Sequence, residues 1–304
     1  MGSMQKVMQK LRAKPKEEAG GPAPPPEAPP TSIATVDPVT SEAAASTSFI
    51  ADPANAPPPQ SQSLPDNRTT AWNADKLDRA LVTYLNRYSA VSEQYRSLRA
   101  RLLNMNPQHK HQTIAITSSI PQEGKSVTAI NLGMVMAEGN EHEVCLVDAD
   151  FRRASIARMF GINPQPGLAE LIRGTAELKD VLHPTHLPNL KIITAGSASD
   201  KKRGELLGAS AVRTILAQLR AVFDYTLLDT PPVNTVSDVS MIAPHCDGVI
   251  IVIEMRRTPE PSVMEAVRTL QTTNVKILGC LLSRHDDQRG HYYERYYNYY
   301  YNSE

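Results

Sequence analysis

Thr113-Ile114-Ala115-Ile116-Thr117-Ser118-Ser119-Ile120-Pro121-Gln122-Glu123-Gly124-Lys125-Ser126 is the stretch from which the rest of the chain is read. Its first five residues are β-branched or small and read as a short buried strand. Beyond it, Ile130, Gly133, Met134 and Ala137 fall at helical spacing. Strand, small-residue loop, Gly-Lys-Ser and helix is the context a phosphate-binding loop requires. Free backbone N–H groups at a helix start, with the helix dipole, hold phosphate oxygens. Lys125 is expected to reach the outer phosphates and the Ser126 hydroxyl to ligate Mg²⁺. Ser119 stands where the usual pattern has its first glycine. A Gly-Lys-Ser also arises by chance in loops, but two later stretches count against chance here.

The first is Val144-Cys145-Leu146-Val147-Asp148-Ala149-Asp150-Phe151-Arg152-Arg153, an apolar strand ending in two carboxylates and two arginines. Ligands of parallel α/β sheets sit at the carboxyl ends of strands. Asp148 and Asp150 are therefore expected to face a bound nucleotide, ligating the metal and accepting a proton from an attacking hydroxyl. The second is Tyr225-Thr226-Leu227-Leu228-Asp229-Thr230-Pro231-Pro232, whose Asp229 fits a metal-orienting acid. An entirely apolar run at 248–253, flanked by helical patterns at 212–222 and 261–272 and a strand at 276–282, completes a β/α alternation. The expected fold is α/β, of P-loop NTPase type: a mainly parallel sheet with helices on both faces. Between 161 and 210 the pattern predicts short helices at 167–173 and 176–182 and a strand at 190–194; Lys201-Lys202-Arg203 reads as a solvated loop.

The zero net charge of the 304 residues gives no sign of a nucleic-acid partner. No apolar run approaches a membrane span and no signal-peptide pattern is present. Cys145, Cys246 and Cys280 lie far apart in apolar runs and read as reduced core thiols.

Met4, Val7, Met8 and Leu11 lie at helical spacing among Lys6, Lys10, Arg12, Lys14 and Lys16. So short a pattern reads as a frayed charged tail ahead of a membrane-touching helix. N-myristoylation is disfavoured by Lys6. Residues 15–70 hold 13 of the 24 prolines, too proline-rich to bury a core, so residues 1–74 are expected to be a disordered segment. From Asp75 the composition changes. Leu77, Ala80, Leu81, Tyr84 and Leu85 suggest one helix, and Val91, Tyr95, Leu98 and Leu102 a second, on which Glu93, Arg96 and Arg99 form a charged face. Spacing alone reads that face as solvated, with weak intrahelical pairs.

Seven of the eleven tyrosines, Tyr292, Tyr293, Tyr296, Tyr297, Tyr299, Tyr300 and Tyr301, lie in the last 13 residues without one aliphatic neighbour. Such a run cannot anchor itself in a core, so residues 289–304 read as a flexible tail. It serves either as a stacking surface or as a set of phosphorylatable hydroxyls.

Taken together, residues from about 90 to 301 resemble the bacterial tyrosine kinases (BY-kinases). The resemblance is carried by 119–126 as Walker A, 144–152 as the extra Walker A′ motif, 227–232 as Walker B, Glu93-x-x-Arg96-x-x-Arg99 and the tyrosine cluster. It implies a kinase domain at 75–288 using ATP and Mg²⁺. Lys125, Asp148 and Asp150 would be catalytic, with Asp148 the base. Ser119, Gln122, Glu123, Gly124, Lys125, Ser126, Val127 and Arg152 would contact the nucleotide, and Ser126, Asp148 and Asp229 the metal. The tail tyrosines would be the phosphoacceptors. Glu93, Arg96 and Arg99 would join subunits into a ring, which reverses the solvated-face reading.

The resemblance further implies a cytoplasmic protein of exopolysaccharide synthesis or export. A transmembrane polysaccharide chain-length regulator would activate it and recruit it to the inner face of the membrane, and a protein-tyrosine phosphatase would reset it. Ser283 stands where the family commonly has an Asn near the base. The rival reading is an ATPase switch of the partition and septum-site class, but its signature lysine falls at Ile120 and it lacks a tyrosine tail. A non-catalytic nucleotide-gated scaffold is the third reading.

Overall fold

A computed structural model describes residues 77–197 and 209–284. The expected disordered N-terminal segment with its basic stretch, the Lys201–Arg203 cluster and the tyrosine tail with its seven candidate acceptors lie outside these residues.

The elements run α1 (Val82–Leu85), α2 (Ala90–Asn104), β1 (Gln112–Ser118), α3 (Lys125–Met136), β2 (Val144–Asp148), α4 (Ile156–Phe160), α5 (Leu168–Arg173), α6 (Leu178–Val181), β3 (His183–Pro184) and β4 (Leu190–Ile193). They continue with α7 (Ala209–Arg220), β5 (Tyr225–Asp229), α8 (Asp238–Ile242), β6 (Gly248–Glu254), α9 (Glu260–Thr272) and β7 (Ile277–Ser283). The seven strands lie in the order β3-β4-β2-β5-β1-β6-β7. All neighbours are parallel except β3 and β4. This is the α/β P-loop NTPase fold expected from the alternating pattern. The apolar run of β6 sits between β1 and β7, so both edges and both faces are covered, as its composition requires.

Strand alternation divides the core between the faces. Ile114, Ile116, Leu146, Leu227, Ile250 and Val252 meet α3 on one side. On the other, Val212, Ile215, Leu216 and Leu219 of α7 cover Cys145, Val147 and Leu228. There too Val263, Ala266, Val267 and Leu270 of α9 cover Ala115, Val249, Ile251 and Ile253. Both helices place their apolar residues at i, i+3, i+4 and i+7, which forms a single stripe. α3 is buried from Thr128 to Met136 because α1 and α2 pack over its outer side.

Three boundaries differ from the sequence expectation. The helix suggested over 77–85 contracts to Val82–Leu85, because side chains take its first backbone groups. Asp78 accepts from the Ala80 N–H, and buried Asn131 of α3 accepts from the Thr83 N–H and hydroxyl. The helix at 176–182 shortens to Leu178–Val181, since His183–Pro184 turns into an antiparallel edge strand that the periodicity did not reveal. The helix at 212–222 begins earlier, at Ala209. No helix of the described residues is long and apolar enough to cross a membrane.

Candidate active site

β1 delivers the chain into the loop 119–124, and α3 begins at Lys125. Gly124 has φ 89°, a left-handed backbone that suits glycine. The first-turn N–H groups of α3 have no carbonyl within their own helix to bind, and so are available to an anion. The serine in place of glycine is explained by its partner. Ser119 is buried and donates its hydroxyl to Glu123 Oε2 at 3.0 Å; the Ile120 N–H donates to the same oxygen at 2.7 Å. The fully buried carboxylate of Glu123 therefore closes the loop from inside.

Lys125, 8% exposed, folds back onto the strand ends. Its Nζ lies 2.8 Å from Asp150 Oδ2, 3.4 Å from Asp229 Oδ1 and 3.4 Å from Ser126 Oγ. Burial would lower the lysine's pKa, but the charges of Asp229 and Asp150 outweigh it and raise it. Asp148 and Asp229 are in direct register on neighbouring β2 and β5, so sheet pairing forces two buried acids side by side. Burial pushes the Asp148 carboxyl up to about 7, with the Asp229 charge assisting and the N–H groups of Ile156 and Ser155 opposing. Burial likewise raises Asp229, against the pull of Lys125.

The two acids of β2 are held differently. Asp148 Oδ2 accepts from Ser155 N at 2.9 Å and Ile156 N at 3.0 Å, at the start of α4, and Oδ1 accepts from Asp150 N at 3.2 Å. Asp150 Oδ1 accepts from the N–H groups of Arg152 and Arg153, leaving Oδ2 to Lys125. Asp229 Oδ2 is buried with no hydrogen-bond partner. An orphaned carboxylate oxygen beside the Ser126 hydroxyl is a donor set of the hard-oxygen kind that suits Mg²⁺. Arg152 Nε lies 3.4 Å from Asp238 Oδ2.

Glu93, Arg96 and Arg99 lie apart from this cluster, on α2 against the end of α3. Arg96 forks onto Glu138, with Nε to Oε2 at 2.8 Å and Nη2 to Oε1 at 3.0 Å; its Nη1 reaches Glu93 and the Arg87 carbonyl. Arg99 donates to the Val135 carbonyl at 2.7 Å. The solvated face expected from spacing is therefore an intrachain lock, and Glu138, missed in the sequence, is its anion. Ser283 is also accounted for: its hydroxyl donates to the Glu123 carbonyl at 2.6 Å. Glu254, Arg257 and Thr258, which also hold the loop, were missed as well. A carboxylate ending the apolar run of β6 was the available signal.

Residues 109–283 match a family model described as ParA, NUBPL iron-transfer P-loop NTPase. Tyrosine-protein kinase CpsD of Streptococcus pneumoniae serotype 4 is 32% identical over 178 residues, 58% of this chain and 78% of that one. The chain belongs to the bacterial tyrosine-kinase family. The crystal structure of the VpsO kinase domain superposes with a TM-score of 0.56 at 33% identity, covering 64% of this chain and 99% of that one. The succinoglycan biosynthesis transport protein ExoP of Rhizobium meliloti (strain 1021) is 30% identical over 200 residues. That match spans 65% of this chain but only 25% of ExoP.

Proposed function

We propose that this BY-kinase is an ATP-dependent autokinase that transfers the γ-phosphate to its own C-terminal tyrosines, within a system of exopolysaccharide synthesis or export. The observation that carries the reading is the meeting of Lys125, Asp150 and Asp229 at the mouth of a phosphate-binding loop. In the proposed organisation residues 75–288 are the kinase domain, 1–74 an N-terminal segment and 289–304 the acceptor tail.

Backbone N–H groups of 122–127 and the Lys125 ammonium hold the ATP phosphates. Ser126 and Asp229, with Asp148 nearby, would hold Mg²⁺, which when bound neutralises phosphate charge. A tyrosine hydroxyl, protonated at neutral pH, gives its proton to Asp148 as its oxygen bonds to the γ-phosphorus. The bond from that phosphorus to the bridging oxygen breaks, and ADP leaves with the electron pair. A carboxyl raised to about 7 suits proton acceptance near neutrality. Asp150 orients Lys125, and Arg152 flanks the nucleotide.

The acceptors are Tyr292, Tyr293, Tyr296, Tyr297, Tyr299, Tyr300 and Tyr301, presented to a neighbouring subunit in a ring held at Glu93, Arg96 and Arg99. A transmembrane chain-length regulator recruits and activates the chain at the inner face of the membrane, and a tyrosine phosphatase reverses the mark. The test is mass spectrometry of the full chain after incubation with ATP and Mg²⁺. Phosphotyrosine is expected in the tail, and none in Lys125→Met; undiminished tail phosphorylation in that variant overturns the assignment.

A further inference from the structure

A polar cluster that the chemistry above does not use lies at the ends of β6 and β7. Glu254 is 7% exposed. Its Oε2 accepts from Arg257 Nη1 at 2.7 Å, and its Oε1 from Arg284 Nη1 at 2.8 Å. The same Arg257 donates from Nη1 to the Gln122 carbonyl at 3.1 Å and from Nη2 to the Pro121 carbonyl at 3.3 Å. Ser283 holds the next carbonyl, that of Glu123. Below them the Glu123 carboxylate accepts from the Glu254 N–H at 3.3 Å and from the Thr258 hydroxyl. Three successive carbonyls of the loop are thus each tied by a side chain from outside it.

Backbone geometry agrees. Gln122, Arg256 and Arg284 have φ of 68°, 65° and 50°. Non-glycine residues occupy this left-handed region when their surroundings hold them there. All three belong to the cluster or adjoin it. A peptide unit is planar, so its C=O and the following N–H point in opposite directions. Pinning the carbonyls of Pro121 and Gln122 outward therefore turns the N–H groups of Gln122 and Glu123 the other way. Those N–H groups belong to the phosphate cradle.

We propose that Arg257, oriented by Glu254, is a positioning residue for the nucleotide's phosphates: it fixes the loop carbonyls and thereby aims the loop N–H groups. This rests on reading the loop as phosphate-binding, and is independent of whether tyrosine is the acceptor.

The experiment titrates the full chain with ADP and with AMP, by calorimetry, in wild type, Arg257→Ala and Arg257→Lys. Losing two aimed donors lowers the ratio of ADP to AMP affinity about tenfold in Arg257→Ala. Arg257→Lys, which keeps the charge beside Glu254 and one donor, falls between. General loosening of the fold weakens both nucleotides alike, so an unchanged ratio in Arg257→Ala overturns the proposal, whatever the absolute affinities. If wild type binds neither nucleotide, the phosphate-loop reading and this proposal fall together. If wild type binds ADP but forms no phosphotyrosine, the kinase reading alone fails and the ratio still decides the role of Arg257.

Discussion

The ion cluster around Lys125 and the one around Glu138 are electrostatic opposites. At the first, three buried acids, Asp148, Asp150 and Asp229, share one ammonium, and one of their oxygens has no partner. At the second, Arg87, Arg96 and Arg99 surround Glu138, with Glu93 alongside. Burial raises Asp148 and Asp229 of the first. At the second, burial also pushes Glu138 up, but the hydrogen bonds and charge of Arg96 overcome it and hold the carboxyl below its usual range. Arg96 is raised in turn, chiefly by its bonds to Glu138. A cluster short of cations costs stability until one arrives, which suits a site that receives Mg²⁺ with a nucleotide. A cluster with its acid fully paired contributes stability at once, which suits a lock between α2 and α3.

If this contrast is right, substitutions at the two clusters differ in kind. Asp148→Asn and Asp150→Asn should each cut phosphotransfer at least about 100-fold, a typical general-base contribution, without loss of folding seen by circular dichroism. Wild-type turnover in both would remove their proposed roles. Asp229→Asn should raise the Mg²⁺ concentration for half-maximal activity by about 10–100-fold, the scale of losing a metal-site carboxylate interaction. An unchanged Mg²⁺ titration would place the metal elsewhere. Arg96→Ala should show itself first in folding, at about 1–2 kcal/mol in urea, for charged hydrogen bonds partly screened by solvent. Light scattering on the same variant, and on Arg96→Ala with Arg99→Ala, tests the ring. Normal assembly at reduced stability would confine the motif to its intrachain role.

The sequence made the site legible wherever chemistry coincides with strand ends. Lys125, Asp148, Asp150 and Asp229 each follow an apolar run, and a parallel sheet brings such ends together. It did not reveal that β2 and β5 align Asp148 with Asp229, because register is a long-range property. The contacts that join Glu254 and Arg257 to Ser283 and to the loop could not be read for the same reason: a helix and most of a strand separate Ser283 from the other two. The reading of 77–85 as one helix failed because Asn131, some fifty residues on, outcompetes helical hydrogen bonding for Thr83. The partner of Arg96 was missed because α2 and α3 meet only after β1 has turned the chain back.

The smallest effect is also the one that separates the clusters most cleanly. Asp148 has a folded pKa near 7 and a model-peptide value of 3.8. Between those values the folded chain binds the proton that the unfolded chain has lost. Stability from this group is therefore fully present below about 3.8 and declines as pH rises toward 7. Glu138 runs the other way. Its folded pKa lies below 4.5, so its contribution is present above 4.5 and is lost as pH falls through the folded value. From pH 7 to 5, without Mg²⁺ or nucleotide, only the first cluster changes. The melting temperature of wild type should exceed that of Asp148→Asn by more at pH 5 than the same comparison gives at pH 7, after allowing for the constant cost of the substitution. Arg96→Ala should shift the melting temperature equally at both. Scanning calorimetry at matched ionic strength measures both differences. If Arg96→Ala varies over this range and Asp148→Asn does not, the assignment of the buried demand for positive charge to the Lys125 cluster is wrong.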